Sequence, residues 1–150
     1  MPGKILKFLA TTAVFTLIVF GCGPVTAQIG ELCLTTGMSV TAAAFAMSVI
    51  AAPLVEEGAK RAGIETGRPW LFVAVFVAVE FSVYVLMGAF AVLRIPAAVM
   101  HWGTMHVQVR TTEMAKRTKG KKATALLWGG WFLAVAVHAL FNWAALNASQ

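Results

Sequence analysis

Five long apolar stretches constrain the fold of this chain more than any other feature of its sequence. They cover residues 8–30, 32–55, 69–93, 95–109 and 123–150, and Glu80 is the only charged residue inside them. A hydrocarbon core of about 30 Å is crossed by about 20 helical residues. The stretches 32–55, 69–93 and 123–150 reach that length outright, whereas 95–109 and the apolar part of the first stretch, residues 8–20, are shorter. With 59% hydrophobic and 12% charged residues, the chain is too apolar for a soluble domain. The sequence therefore predicts an all-α membrane protein, a bundle of four to five transmembrane helices, and excludes a soluble enzyme, a disordered chain or a nucleic-acid-binding module.

The N-terminal residues 1–27 have two interpretations. Lys4 and Lys7 precede an apolar segment, which is typical both of a first transmembrane helix and of a cleavable signal peptide. Val25-Thr26-Ala27 offers a small-residue cleavage site, whereas the moderate length of the segment favours a retained helix. Residues 28–150 then form a four-helix domain.

The basic residues orient the chain, because cytoplasmic loops of membrane proteins are enriched in Lys and Arg. If the N-terminus is cytoplasmic and all five stretches cross, eleven of the twelve basic residues lie inside and only Arg94 lies outside. This count favours a crossing by residues 95–109, which are few enough to require a tilt, a kink or shielding by neighbouring helices. Half of the basic residues lie in the loop 110–122. We interpret that loop as an anchor on the cytoplasmic membrane surface, with lipids as its partners and no nucleic acid expected.

Two cysteines, Cys22 and Cys33, fall on the outer side of the membrane in this topology. They could form a disulfide in an oxidising compartment or remain two free thiols. The sequence leaves both alternatives open.

Ionisable residues inside apolar stretches are expensive and usually functional. All six acidic residues are Glu, and three of them, Glu56, Glu57 and Glu80, border or interrupt transmembrane stretches. The spacing i, i+4 predicts a Glu56–Lys60 pair and a Glu57–Arg61 pair on neighbouring helix faces. A solvated helix end for the first two carboxylates and an interhelical hydrogen bond for Glu80 are the structural alternatives.

Histidines supply the remaining polar groups of the apolar stretches. His138 and Asn142 are four residues apart and share one helix face, where they could instead be polar contacts between helices. His101 and His106 are five residues apart, about 140° around a helix, so we expect only His101 at a site and His106 at the membrane interface. Carboxylates and histidines of this kind can activate a water and stabilise an oxyanion, and they also suit zinc.

In their order, these residues resemble the motifs of the CAAX-protease and bacteriocin-processing superfamily of intramembrane proteases. Glu56-Glu57-Gly-Ala-Lys60-Arg61 is similar to its first motif, and Phe76-Val-Ala-Val-Glu80 is similar to the second motif of the PrsW branch. The Pro96-Ala-Ala-Val-Met-His101 segment and the His138-x-x-x-Asn142 segment resemble the third and fourth motifs. Met105 stands where the family often has a small hydroxyl residue, and the adjacent Thr104 could substitute for it. The chain is also shorter than most members.

The resemblance implies hydrolysis of a peptide bond in a membrane-associated peptide or protein, by a bacterial or phage-encoded protein of the cell membrane. It assigns the general base to Glu56, its orientation to Glu57, completion of the water or metal shell to Glu80 and His101, and oxyanion stabilisation to His138 and Asn142. Lys60, Arg61 and Phe76 are supporting residues. The zinc alternative uses Glu80, His101 and His138 as ligands. A catalytically inactive binding or immunity protein on the same scaffold, and a small proton- or ion-conducting bundle, remain the other functional classes.

Overall fold

The computed structural model describes residues 2–86 and 94–148 and is all-α within them, which confirms the predicted helical bundle. Its helices are α1 (Pro2–Thr35), α2 (Val40–Glu65), α3 (Pro69–Leu86), α4 (Ile95–Lys116) and α5 (Lys121–Ala148). Residues 1, 87–93 and 149–150 lie outside the described residues, and with them the end of the predicted apolar stretch 69–93 and the last two residues of the stretch 123–150.

Four of the helices, α1, α2, α3 and α5, are long and apolar enough to cross a membrane, consistent with an integral membrane protein. Helix α4 has 22 residues, a length of about 33 Å at 1.5 Å per residue. Its polar side chains His101, Thr104, Gln108 and Thr112 are buried against the neighbouring helices. The bundle thus provides the shielding that the sequence required for this segment.

The helices α2 and α3 are joined by a tight turn that ends α2 with a Schellman motif. The N–H of Arg68 donates to the Gly63 carbonyl at 2.8 Å, and the N–H of Gly67 donates to the Ile64 carbonyl at 3.1 Å. Gly67 has a φ of 70°, which glycine adopts without a steric penalty. Pro69 then begins α3, so the turn fixes α3 beside α2.

An apolar core links α1, α3 and α4. Phe15 of α1 packs edge-on against Phe72 of α3 with ring centroids 5.0 Å apart, and Met105 of α4 is fully buried in the same cluster. Gly63 of α2 has no side chain because a Cβ there would lie 2.6 Å from the Cβ of Phe72. These contacts set the distances at which α2, α3 and α4 present their polar residues.

Helix α2 contains a π-helical turn, Ala46–Ala51, between its two α-helical parts, Val40–Phe45 and Ala52–Glu65. In this turn the N–H of Ala52 donates to the carbonyl of Met47, five residues earlier. Pro53 follows and has no N–H to donate. The Ser48 carbonyl therefore loses both of its nearest backbone donors, Ala52 and residue 53.

The two cysteines lie eleven positions apart on the continuous helix α1, and both are free thiols. At 1.5 Å per residue their Cα atoms are separated by about 16 Å along the axis, far beyond the span of a disulfide. The alternative of a Cys22–Cys33 disulfide within one chain is therefore wrong. Helix α1 also runs without interruption across residues 25–28, and the division of the chain at that point stays a prediction.

Candidate active site

The carboxylate of Glu57 is the centre of a buried polar network between α2, α4 and α5. Its Oε1 accepts from the Lys60 ammonium at 2.5 Å, from the Thr104 hydroxyl at 3.1 Å and from His138 Nδ1 at 2.8 Å. Its Oε2 accepts from Gln108 Nε2 at 2.9 Å. Lys60 also donates to the Thr104 hydroxyl at 2.6 Å. A fully buried carboxylate requires such donors, because desolvating an unpaired charge costs several kcal/mol.

The two ion pairs predicted on α2 are wrong in their partners. Lys60 binds Glu57, three residues earlier, instead of Glu56. Arg61 donates to the Thr112 hydroxyl at 3.3 Å instead of pairing with Glu57. The reason is burial: the Lys60 side chain is fully enclosed and meets the carboxylate that faces α4, and residues three apart on a helix are as close as residues four apart.

A second carboxylate, Glu80 of α3, is shared by two partners. Its Oε2 lies 3.2 Å from His101 Nε2, and its Oε1 accepts from Arg94 at 2.8 Å. The Arg94 guanidinium also lies over the Tyr84 ring, 4.3 Å from the centroid. Phe76, one helical turn before Glu80, places its ring centroid 4.5 Å from that of His101. Glu80 is thus an ion-paired side chain that orients His101, and its partner Arg94 was not foreseen as a site residue.

The two histidines of the network face each other and a third carboxylate. The ring centroids of His101 and His138 are 5.0 Å apart with the rings perpendicular. His138 Nε2 lies 3.5 Å from the carboxylate of Glu56. One ligand atom each from Glu56, His101 and His138 falls within 4.8 Å of the others. The side chain of Glu56 is 18% exposed, whereas both histidines are almost fully buried.

Each histidine has one ring nitrogen on a carboxylate of the network. His138 Nδ1 bonds Glu57, and His101 Nε2 contacts Glu80. His101 Nδ1 is buried and has no hydrogen-bond partner among the described residues. A carboxylate on the remote nitrogen is the usual way in which proteins orient a metal-binding or catalytic imidazole.

These contacts change the predicted zinc set by one residue. The atoms that lie close enough together to hold one metal ion belong to Glu56, His101 and His138. The oxygens of Glu80 contact Arg94 and His101 instead. The sequence assigned Glu80 because it interrupts an apolar stretch, and that property alone did not reveal its salt bridge to Arg94.

The side chain of Asn142 is directed away from the histidines, toward the π-helical turn. Its Nδ2 donates to the Ser48 carbonyl at 2.8 Å. This is the carbonyl that lost its backbone donors, and a polar group left without a partner in a membrane costs several kcal/mol. Asn142 therefore has a structural partner that accounts for it, and its predicted role at an oxyanion stays a prediction.

Two other sequence expectations, and one residue that the sequence missed, concern α4. His106 is exposed and lies 6.2 Å from the Trp70 ring, outside the network, as its position relative to His101 predicted. The Thr104 hydroxyl bonds Glu57 while Met105 is packed in the apolar core. That Thr104 substitutes for the hydroxyl residue of the family stays a prediction. Gln108 was missed because a lone glutamine has no distinctive sequence pattern.

Comparisons of this chain with models of protein families, with curated proteins and with solved structures find no match. The resemblance to the PrsW branch accordingly stays a prediction that rests on the four motifs of the chain. The catalytic roles of Glu56, Glu57, Glu80, His101, His138 and Asn142 are likewise predictions, to which the contacts above add a geometry.

Proposed function

We propose that this chain is an intramembrane peptidase that hydrolyses a peptide bond with a water activated by Glu56. The observation that carries the proposal is the convergence of Glu56, His101 and His138 on one point, with each histidine oriented by its own carboxylate. A purely structural polar contact between helices needs only one histidine–carboxylate pair. Two oriented histidines aimed at a third, partly exposed carboxylate are the arrangement that general acid–base chemistry requires.

The spacing of the three groups suits a water molecule. Three atoms that all lie within 4.8 Å of one another share a point no more than about 2.8 Å from each, which is within the range of a hydrogen bond. One water near that point would contact Glu56, His101 and His138 together.

Protonation follows from counting donors at that centre. Neutral His101 and His138, with their protons directed at Glu80 and Glu57, offer lone pairs, and the Glu56 carboxylate also only accepts. A water can donate to two acceptors, so the third group must bring a proton of its own. We place that proton on His138 Nε2, because Nδ1 of the same ring donates to the Glu57 carboxylate and Nε2 lies 3.5 Å from Glu56.

The reaction then proceeds in two steps. Glu56 removes a proton from the water, whose oxygen forms a bond to the carbonyl carbon of the peptide. His138 Nε2–H donates to the resulting oxyanion, a contribution worth roughly 10²–10³ in rate for one donor. The carbonyl re-forms as the C–N bond breaks, and Glu56 gives its proton to the departing amine nitrogen.

A divalent metal such as zinc is the alternative source of positive charge. The residues fit one: three acceptors converge, His101 Nδ1 has no partner among the described residues, and both histidines have a carboxylate behind them. Glu56, His101 and His138 would hold the ion, which would lower the pKa of a bound water and polarise the substrate carbonyl. In that case Glu57 and Glu80 keep their orienting roles.

The conducting alternative rests on the same side chains. Contacts run from Arg94 through Glu80, the two histidines and Glu57 to Gln108. Gln108 Oε1 is buried with no partner among the described residues, so this series has no next member there. A proton relay needs a polar path to both surfaces, and for that reason we favour hydrolysis.

The proposal is tested by identifying cleaved membrane proteins. Cells producing the wild-type chain are compared with cells producing Glu56→Gln or His138→Gln at equal membrane levels, and new protein N-termini are counted by mass spectrometry. Glu113→Gln serves as the matched control, because Glu113 is an exposed residue paired with Arg110. We expect a set of new N-termini in wild-type and control cells that both site variants lack. Identical sets in all four strains would overturn the proposal.

Metal content of the purified protein separates the two sources of charge. Bound zinc near one equivalent, lost in His101→Ala and His138→Ala, supports the metal. Metal-free protein that cleaves in the presence of a chelator supports the imidazolium. Proton flux in vesicles that is abolished by Glu80→Gln, together with no cleavage, would favour the conducting alternative.

A further inference from the structure

Gln108 is a fully buried side chain of α4 whose hydrogen bonds all go to one residue. Its Nε2 donates to Glu57 Oε2 at 2.9 Å and to the main-chain carbonyl of Glu57 at 3.2 Å. Its Oε1 has no partner among residues 2–86 and 94–148. Neither the motifs of the sequence nor the proposed mechanism has given this residue a task.

We propose that Gln108 is a positioning residue, which fixes the plane of the Glu57 carboxylate and thereby aims His138 at the reacting water. The inference rests on the proposed function for its effect on cleavage. Its structural content, the control of the Glu57–His138 hydrogen bond, can be measured without any substrate.

The distribution of donors on Glu57 supports this role. Oε1 receives three of them, from Lys60, Thr104 and His138, whereas Oε2 receives Gln108 alone within the part of the chain that the structure describes. Rotation about the Cγ–Cδ bond moves both oxygens, so donors on both oxygens restrain the carboxylate plane more than donors on one. The bond from Gln108 adds this second restraint and keeps Oε1 in line with His138 Nδ1.

Packing alone does not explain a glutamine at this place. An amide buried with an unsatisfied acceptor costs free energy that an apolar side chain of similar volume would not. The bonds to Glu57 are what offset that cost. The second bond, to the main chain of α2, holds the donor in place while the first holds the carboxylate.

The substrate-free test uses the proton shared by His138 and Glu57. Protein labelled with 15N-histidine in micelles is examined by NMR, and the resonance of the Nδ1 proton is compared between wild type, Gln108→Met and Gln108→Asn. Thr112→Val is the matched control, since Thr112 lies one turn further along α4 and bonds Arg61 instead of Glu57. We expect the resonance to shift or broaden in both Gln108 variants and to stay unchanged in the control.

The kinetic test uses a peptide that contains a cleavage site found in cells. Gln108→Met should lower kcat by about 10–100-fold, the usual effect of losing an outer partner of a catalytic histidine. KM should stay within about twofold, because Gln108 does not touch the substrate. Combined with Glu57→Gln, the Gln108 substitution should add almost nothing, since both act through the same carboxylate.

The outcomes separate the two proposals. Cleavage by wild type that Gln108→Met and Gln108→Asn leave intact, with an unchanged Nδ1 resonance, overturns the positioning role and leaves the peptidase standing. A shifted resonance in a protein without any cleavage keeps the structural role of Gln108 and rejects the peptidase. A loss of folding in Gln108→Met is resolved by Gln108→Asn, which keeps the amide but is too short to reach Glu57.

Discussion

The amide of Asn142 and the carbonyl of Ser48 are joined by a 2.8 Å hydrogen bond between helices α5 and α2. The bond exists because the π-helical turn diverts the Ala52 N–H to Met47 and because Pro53 has no N–H. A residue of the His138-x-x-x-Asn142 motif thus completes the backbone of a distant helix.

Replacing Asn142 with Leu should lower the free energy of unfolding by about 1–3 kcal/mol, because the Ser48 carbonyl is left without a donor. Adding Pro53→Ala should recover part of the loss, since an N–H at position 53 can donate to Ser48. Unfolding by sodium dodecyl sulfate, followed by circular dichroism, measures both. Asn147→Leu is the control, because Asn147 is exposed and, within residues 2–86 and 94–148, its side chain bonds only the Trp143 carbonyl of its own helix. Equal losses at 142 and 147 would contradict the assignment.

Two adjacent glycines of α5 should respond oppositely to alanine. A Cβ at Gly130 would collide with the Thr111 side chain of α4, whereas a Cβ at Gly129 would meet nothing within 4 Å. Gly130→Ala should destabilise by about 1–3 kcal/mol through overpacking. Gly129→Ala should be neutral or stabilise by up to about 1 kcal/mol through helix propensity. Thermal unfolding in one detergent compares them, and a destabilised Gly129→Ala would contradict this packing.

Two ion pairs of equal spacing, one buried and one exposed, allow a second matched comparison. Lys60→Met leaves Glu57 buried with one donor fewer, and we expect a loss of about 3–5 kcal/mol. Arg110→Met breaks the exposed Arg110–Glu113 pair and should cost less than about 1 kcal/mol. Adding Glu57→Gln to Lys60→Met should restore stability. If it does not, the cost arises from packing instead of from an uncompensated charge.

The hydroxyl of Thr104 should matter for cleavage more than the methyl group beside it. Thr104→Val removes the donor to Glu57 Oε1 at similar volume, and we expect cleavage to fall about tenfold or more. Thr104→Ser should retain most of the activity. Met105→Thr should not rescue Thr104→Val, because position 105 lies about 100° further around α4 and faces the apolar core. Rescue would show that the helix can present position 105 to the site.

The sequence predicted the helices because apolar stretches of this length have few other solutions in a membrane. It also predicted that Glu57, His101 and His138 lie at one site, because ionisable residues in or beside apolar stretches are usually functional. It did not predict the partners themselves. Lys60 pairs with Glu57 instead of Glu56 because its side chain is fully buried. Glu80 pairs with Arg94, a residue that lies outside the apolar stretches. Gln108 and the Ser48 carbonyl were beyond sequence reasoning, because neither carries a charge or a motif.

The π-helical turn of α2 has a consequence for the angular setting of the site. Each residue of an α-helix turns the chain by about 100° around the helix axis. The π-helical turn contains one residue more than the α-helical turn that it replaces. The same residues wound as an uninterrupted α-helix would rotate Glu57 by about that angle, away from its hydrogen bond to His138. A segment of alanine, methionine, serine, valine and isoleucine, which holds no ionisable group, therefore determines the direction in which the buried carboxylate points.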